Sequence, residues 1–445
     1  MNLRLVCRGC ASSISWQDPS PWACPRRAEL TEVDHVLVLS TGERGHLDAT
    51  NGGPSDAVPA TDDQAGNVDS AEENPFLRYR ARLGSYQAAR EIGWSDQQFV
   101  DLVEGIDAEL RRTSGTGFLR TPVTSADALG GACGLAPGRL ILKDETNNVG
   151  GSHKARHLMG IAIWMRLRSE CGFDVHRPRL AIASCGNAAI AAATLAAAMK
   201  CPLEVFVPEW ASAAVVDTLQ SLGAKVIRCP RGPGELGDPC VRLANAAVAS
   251  GALPFSCQGT ANGLTIDGGR TLGWELAEQV PALGSVFVQV GGGALATAVA
   301  TGLAEGGSAA ELFAVQAEGC APLDRAVQRV AEHGLGWAIH HRGSVMWPWE
   351  SEPHSAATGI LDDETYDWAG VCESLERLGG QSIVASEESV VEAQQILRAH
   401  TQINADTTGS AGLAGLIEVS TRVGGIDGLP QGPIAVLATG IDRTL

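Results

Sequence analysis

At 445 residues the chain is long for one core and reads as two or three structural units, taking roughly 150 residues per domain. Lysine and arginine total 33 against 51 aspartate and glutamate, a formal charge of −18, so the long-range field repels nucleic acid and anionic membrane, and any small anionic ligand must be held by local groups. No window reaches the roughly 18 apolar residues of a membrane helix, and Arg4 and Arg8 interrupt the N-terminal stretch before a signal-peptide core develops. A cytoplasmic protein is expected, its 12 scattered cysteines reduced rather than paired.

In chain order, residues 1–50 form a cysteine-containing head with Cys7-x2-Cys10 and then Cys24. A zinc ribbon needs four ligands, and Arg26 stands where a fourth cysteine would fall. The head therefore reads as a degenerate ribbon whose missing ligand is His35 or His46, or as buried or free thiols, and the second reading is preferred. Residues 51–73, rich in Gly, Pro, Ser and acid without apolar periodicity, are expected to be a disordered linker.

From about residue 139, apolar runs alternate with amphipathic ones. Strands are expected at 139–143, 178–184, 203–208, 224–230, 285–290, 312–318, 381–386 and 433–439, and helices in segments such as "SAAVVDTLQSLG" and "EESVVEAQQILRAH". Continuous apolar strands separated by helices mark parallel sheets covered on both faces, hence a doubly wound α/β protein. Ligands in such folds sit where strand C-termini open into helix N-termini.

Three such turns stand out. In "NVGGSHKARH", Gly150 and Gly151 allow close backbone approach, and Lys154 opens a helix with Ala155, Leu158, Met159 and Ala162 inward. Burial and a helix's positive end both disfavour a further positive charge there, which suits an amine nucleophile; the alternative is a surface lysine at a helix start. In "ASCGNAAIAAA", the Ser184 hydroxyl, the Asn187 amide and the backbone N–H groups suit a carboxylate or an aromatic hydroxyl, or Asn187 is an ordinary cap. In "VQVGGGALATAVATG", Gly291, Gly292 and Gly293 open a phosphate cradle. That turn also satisfies G-x-G-x-x-A, with Glu318 following 27 residues after Gly291, and so mimics a dinucleotide fingerprint whose acidic partner usually lies nearer about 20 residues on. A dinucleotide leaves the first two turns without a task, whereas a cofactor with an aldehyde, a ring hydroxyl and a phosphate uses all three.

In order, "NPFLRYR", "RTPV", "KDETNNVGGSHKARH", "ASCGNAAIAAA", "DGGRTLGWE", "VQVGGGALA", "AVQAEGCAPL" and "LATG" resemble the fold-type II, tryptophan-synthase-β-like pyridoxal-phosphate enzymes, within them the threonine synthase and threonine/serine dehydratase branch. The resemblance implies two doubly wound domains with the cofactor in the cleft between them: a smaller one over residues 120–255 carrying the Schiff-base lysine, and a larger one over 74–119 and 256–445 carrying the phosphate loop. It implies that Lys154 bonds the cofactor aldehyde and moves the substrate Cα proton, that Asn187 meets the ring hydroxyl, and that Ser184, Cys185, Gly186, Asn187 and Ala188 surround the substrate carboxylate. Gly291, Gly292, Gly293 and Ala294 then hold the phosphate, Thr439 or alternatively Thr408 meets the pyridine nitrogen, and Arg156 is placed with the substrate-binding residues. A neutral hydroxyl at that nitrogen weakens the ring as an electron sink and favours loss of a β-substituent over transamination.

The implied activity is a lyase acting on a small β-hydroxy or β-substituted amino acid, in a homodimer, with threonine synthase-like or β-replacement chemistry as the near alternative and a nicotinamide-dependent dehydrogenase as the distant one. His153 in place of phenylalanine and Ala155 in place of aspartate depart from the threonine synthase pattern, and Cys185 replaces a serine. His153 and His157, four apart, are not expected to hold a metal. The aromatic insertion around His340, His341 and His354 reads as a packed excursion rather than a substrate-covering loop.

Overall fold

The computed structural model describes residues 3–40, 72–232, 237–421 and 425–443; His46 and the expected linker up to residue 71 lie outside them. Three short strands, β1 (Arg4–Cys7), β2 (Ser13–Ser15) and β3 (Leu37–Ser40), make an antiparallel head sheet in the order β2-β1-β3. The body holds β4 (Val123–Ser125), β5 (Leu140–Asp144), β6 (Leu180–Ala183), β7 (Leu203–Pro208), β8 (Lys225–Cys229), β9 (Leu253–Pro254), β10 (Ser285–Gln289), β11 (Glu311–Ala317), β12 (Gly380–Ala385) and β13 (Ile434–Ala438). All eight strands read from apolar runs are present; β4 and β9, too short and mixed to carry a pattern, were not legible.

These strands form a six-stranded sheet, β12-β11-β10-β13-β5-β4, and a four-stranded sheet, β8-β7-β6-β9. Every pairing is parallel except β4 with β5. β5, β10 and β13 are buried at every residue, as strands covered by helices on both faces must be.

The division into domains differs from the expected one at two places. Residues 123–144 belong to the larger sheet, because β5 pairs with β13 in register from Leu140 with Ile434 to Asp144 with Ala438. Residues 76–118 pack in one apolar cluster with the smaller sheet, through Phe76, Phe99, Leu110 and Phe118 against the core of Leu180, Ile182 and Val205. The head is no separate body either. Leu3, Leu5 and Trp16 enter that same cluster, Trp16 lies 5.9 Å from Trp164, and the Arg168 guanidinium donates to the Trp16 carbonyl.

The helix Lys154–Glu170 is buried on almost every side and packs against the helices Asn187–Met199 and Thr265–Gln279. At its crossing with the second, a Cβ on Gly160 would stand 2.6 Å from the Gly268 nitrogen, so only glycine lets the two backbones approach this closely. The aromatic insertion is a packed excursion, as expected: Val345 and Met346 are buried, and the Thr365 amide donates to the Met346 sulfur at 3.3 Å.

Candidate active site

The turn ahead of Lys154 passes through Gly150 at φ 67° and Gly151 at φ 71°, left-handed conformations that side chains oppose. It is stitched to the segment after β13. The His153 amide donates to the Thr439 carbonyl at 3.1 Å and the Ile441 amide to the Gly151 carbonyl at 2.9 Å, with Ser152 bridging Gly440. Lys154 and Thr439, 285 positions apart, are thereby held in adjoining backbone. The Thr439 hydroxyl accepts the Gln289 side-chain amide at 2.6 Å; the same nitrogen donates to the carbonyls of Thr408 at 3.0 Å and Gly409 at 2.9 Å. Since Gln289 fills an acceptor position on Thr439, the hydroxyl proton remains free for another partner. The Thr408 hydroxyl instead accepts the Gly359 amide at 2.9 Å.

The second turn opens the helix Asn187–Met199, with Ser184, Cys185, Gly186, Asn187 and Ala188 all partly exposed along it. Asn187 accepts from Arg443 at 3.3 Å and also bonds Asp406, a carboxyl that burial raises to about 6. A Cβ on Gly440 would meet the Asn187 amide nitrogen at 2.5 Å, so a side chain there would push the Asn187 amide aside.

The third turn, Gly291–Gly293, leaves β10 and opens the helix Ala294–Glu305. Its contents are unexpected. A Cβ on Gly291 would lie 2.5 Å from an Asp362 carboxylate oxygen, and Asp362 accepts the Gly292 N–H. A carboxylate of the chain itself thus stands where these amides are aimed at an anion. Burial raises Asp362 to about 6 and Asp367, whose amide donates to the Gly292 carbonyl at 2.7 Å, to about 7; Lys154 is near enough to pull both back down.

His153 is buried, and burial keeps its imidazole neutral, well below the usual range. Its Nδ1–H faces the Thr439 carbonyl at 3.2 Å, which leaves Nε2, together with the neighbouring Ser152 hydroxyl, buried and without a partner. A glycine cradle closed by an anion, orphaned polar atoms beside Lys154 and a free hydroxyl proton at Thr439 fit a phosphorylated, polar-ringed cofactor. His157 bonds separately, its Nδ1 facing the Thr265 carbonyl at 2.9 Å.

Arg156 is the correction. Placed in the sequence analysis among the substrate-binding residues, it is 1% exposed and gives its N–H groups to Glu145 at 2.9 Å twice, Glu275 at 2.7 Å, and the Thr271 and Thr121 hydroxyls at 3.1 Å each. Lys143 completes the group, 2.6 Å from Glu275. Two cations and two anions form a neutral network, the arrangement under which buried charge is tolerated. No donor of Arg156 remains for a substrate.

Sequence reasoning missed Gln289, Asp362, Asp406 and Arg443. Gln289 carried a signal, a lone amide in the apolar run "SVFVQV"; Asp362 carried none, since "LDDETYD" reads as a solvated acidic loop. Glu318, the residue that completed the dinucleotide pattern, accepts the Glu387 amide at 2.9 Å and caps a distant helix.

The family model described as "Pyridoxal-phosphate dependent enzyme" matches residues 116–440. The chain is 30% identical over 263 residues to an L-serine dehydratase of Saccharomyces cerevisiae, covering 56% of this chain and 72% of the yeast protein. Among solved structures it is similar to maize serine racemase (TM-score 0.58, 21% identity, 77% of this chain and 94% of that one). It is likewise similar to a threonine deaminase from T.th. (0.58, 24%, 77% and 98%) and to diaminopropionate ammonia lyase from Escherichia coli (0.59, 18%, 78% and 89%). The chain belongs to the pyridoxal-phosphate dependent enzyme family. Its cofactor is pyridoxal 5′-phosphate, and the fold is that of the type II members.

A phosphate held by the Gly291–Gly293 amides would have to displace the Asp362 carboxylate. Asp362→Asn is therefore expected to tighten cofactor binding about tenfold at pH 7.5, or about 1.4 kcal/mol, measured by titrating stripped protein. Because Asp362 ionises near pH 6, the gain is expected above that pH and to shrink below it. Equal affinities at both pH values would remove Asp362 from the cradle's energetics.

Proposed function

We propose that this enzyme is a lyase that removes the β-hydroxyl of a small amino acid such as serine or threonine, releasing a keto acid and ammonia. One observation carries the reading. The backbone just ahead of Lys154 is tied to Thr439, whose neutral hydroxyl accepts the Gln289 amide and so keeps its own proton for another partner. Likeness to the yeast L-serine dehydratase supports the same chemistry.

Bound pyridoxal phosphate supplies a ring that withdraws electrons from the substrate's Cα. Lys154 is assigned the bond to the cofactor and the Cα proton. Asn187 is assigned the ring hydroxyl, and Thr439, in preference to Thr408, the ring nitrogen. Gly291, Gly292, Gly293 and Ala294 offer their amides to the phosphate, and the turn from Ser184 through Cys185, Gly186 and Asn187 to Ala188 offers its amides to the substrate carboxylate. A hydroxyl such as that of Thr439 at the ring nitrogen would leave the ring a weak electron sink, which would favour loss of the β-substituent over reprotonation elsewhere.

The test is a panel of serine, threonine, phosphohomoserine and substituted serines, with keto acid and ammonia quantified. Keto acid from serine or threonine is expected. Turnover of phosphohomoserine alone would replace this reading with a threonine synthase-like one.

We extend the proposal to a cytoplasmic homodimer, on the 12 unpaired cysteines and the family likeness, with light scattering to check the dimer. Among the described residues no helix is long and apolar enough to cross a membrane.

A further inference from the structure

We propose that Cys7, Cys10, Cys24 and His35 bind a structural zinc ion. Their ligand atoms all lie within 4.8 Å of one another. Zinc–sulfur bonds of about 2.3 Å and a zinc–nitrogen bond of about 2.1 Å, arranged tetrahedrally, put ligand atoms about 3.5–3.8 Å apart. The Sγ atoms of Cys10 and Cys24 are 3.5 Å apart, and Cys7 Sγ lies 3.3 Å from His35 Nδ1. A small contraction or expansion of this cage is all that the ion requires.

Local hydrogen bonds orient the three sulfurs and select the histidine nitrogen. The His35 Nε2–H faces the Leu30 carbonyl at 2.9 Å, which fixes the tautomer and leaves Nδ1 as the lone-pair donor facing Cys7. Backbone amides point at all three sulfurs, those of Gly9 and Cys10 at Cys7, that of Ser12 at Cys10, and that of Arg26 at Cys24. Arg26, where the sequence lacks its fourth cysteine, thus contributes its backbone instead, and His35 arrives from beyond the expected spacing. A Cys10–Cys24 disulfide explains this arrangement less well, because it leaves Cys7 and His35 paired for no purpose and needs sulfurs about 2.05 Å apart.

Four protein ligands close the coordination shell, so the ion has no open position for chemistry. Its consequence is mechanical. Three strands of three or four residues make a sheet too small to hold itself together by burial alone. From His35 the chain runs back to Asp34, which accepts the Trp368 indole N–H at 3.2 Å, and the adjoining Asp367 amide holds the Gly292 carbonyl at 2.7 Å. The ion therefore braces the strap beneath the phosphate cradle; only this last link rests on the cofactor assignment.

The test uses the full-length enzyme purified without added metal or chelator. About one zinc per chain is expected by mass spectrometry, falling at least fivefold in Cys24→Ser and retained in His35→Cys. Titrating the wild type with a mercurial is expected to release the zinc in step with three thiols, and cobalt replacing it is expected to give the intense visible bands of a tetrahedral thiolate site. Wild-type protein with less than about a tenth of an equivalent of zinc and an octahedral cobalt spectrum, or with a mapped Cys10–Cys24 disulfide, overturns the proposal. These readouts need no bound pyridoxal phosphate and no turnover, so they stand apart from the lyase assignment.

Discussion

Lys154→Ala is expected to lower turnover of serine or threonine at least about a thousandfold, since one side chain is asked both to carry the cofactor and to move the Cα proton, and proton transfer by a positioned group alone contributes roughly 10²–10⁴-fold. The loss should be chemical rather than structural. Ala155, Leu158 and Met159 make the helix's buried contacts, while the Lys154 side chain is only partly buried, so thermal stability should change little. Borohydride treatment followed by peptide mapping is the direct check: the wild-type peptide containing residue 154 gains the mass of the reduced cofactor, and the variant gains none. A variant keeping a tenth of wild-type turnover, or a label found on another lysine, would sink the assignment of this residue.

Arg156→Met should act in the opposite way, on stability rather than on chemistry. Removing the guanidinium leaves Glu145 and Glu275 buried with only Lys143 to balance them, and breaking a buried ion pair by deleting one partner costs about 3–5 kcal/mol. A fall of about 3–5 °C in the thermal midpoint is expected, with KM for the amino acid unchanged in the protein that remains folded.

The pH dependence should report the same network. Burial by itself would raise Glu145, but the Arg156 charge and its hydrogen bonds override it and hold the carboxyl at about 2. A depressed carboxyl stabilises the fold above its unfolded value of about 4.3 and loses that contribution as pH falls toward 2. The variant should therefore lose less stability than the wild type between pH 4 and 2. A tenfold rise in KM with unchanged stability would return Arg156 to the substrate.

The two expectations separate residues that sit two apart in one motif. Thr121 of "RTPV", Lys143 and Glu145 of "KDETNN", Arg156 of "HKARH" and Thr271 and Glu275 of "GRTLGWE" all meet in the buried network. Three of the segments that carried the family resemblance thus meet in a structural charge network in the interior. Lys154 and Arg156 differ in role because a helix turns about 100° per residue, so the second points away from the turn that presents the first.

Local sequence determined the eight long strands, the doubly wound class and the three turns, because burial on both faces demands unbroken apolar runs and a helix N-terminus near an anion demands small residues. It also marked Lys154, Asn187 and Gly291–Gly293. Tertiary structure alone decided that Asp362 sits on the glycine amides, that Gln289 meets the Thr439 hydroxyl and that Arg156 is sealed among carboxylates, and it placed His35, one of two histidines open in the sequence, beside the three cysteines. Each of these depends on which distant segment a side chain meets. Periodicity and capping act over a few residues, whereas such pairings are set by strand order and helix packing across the whole chain.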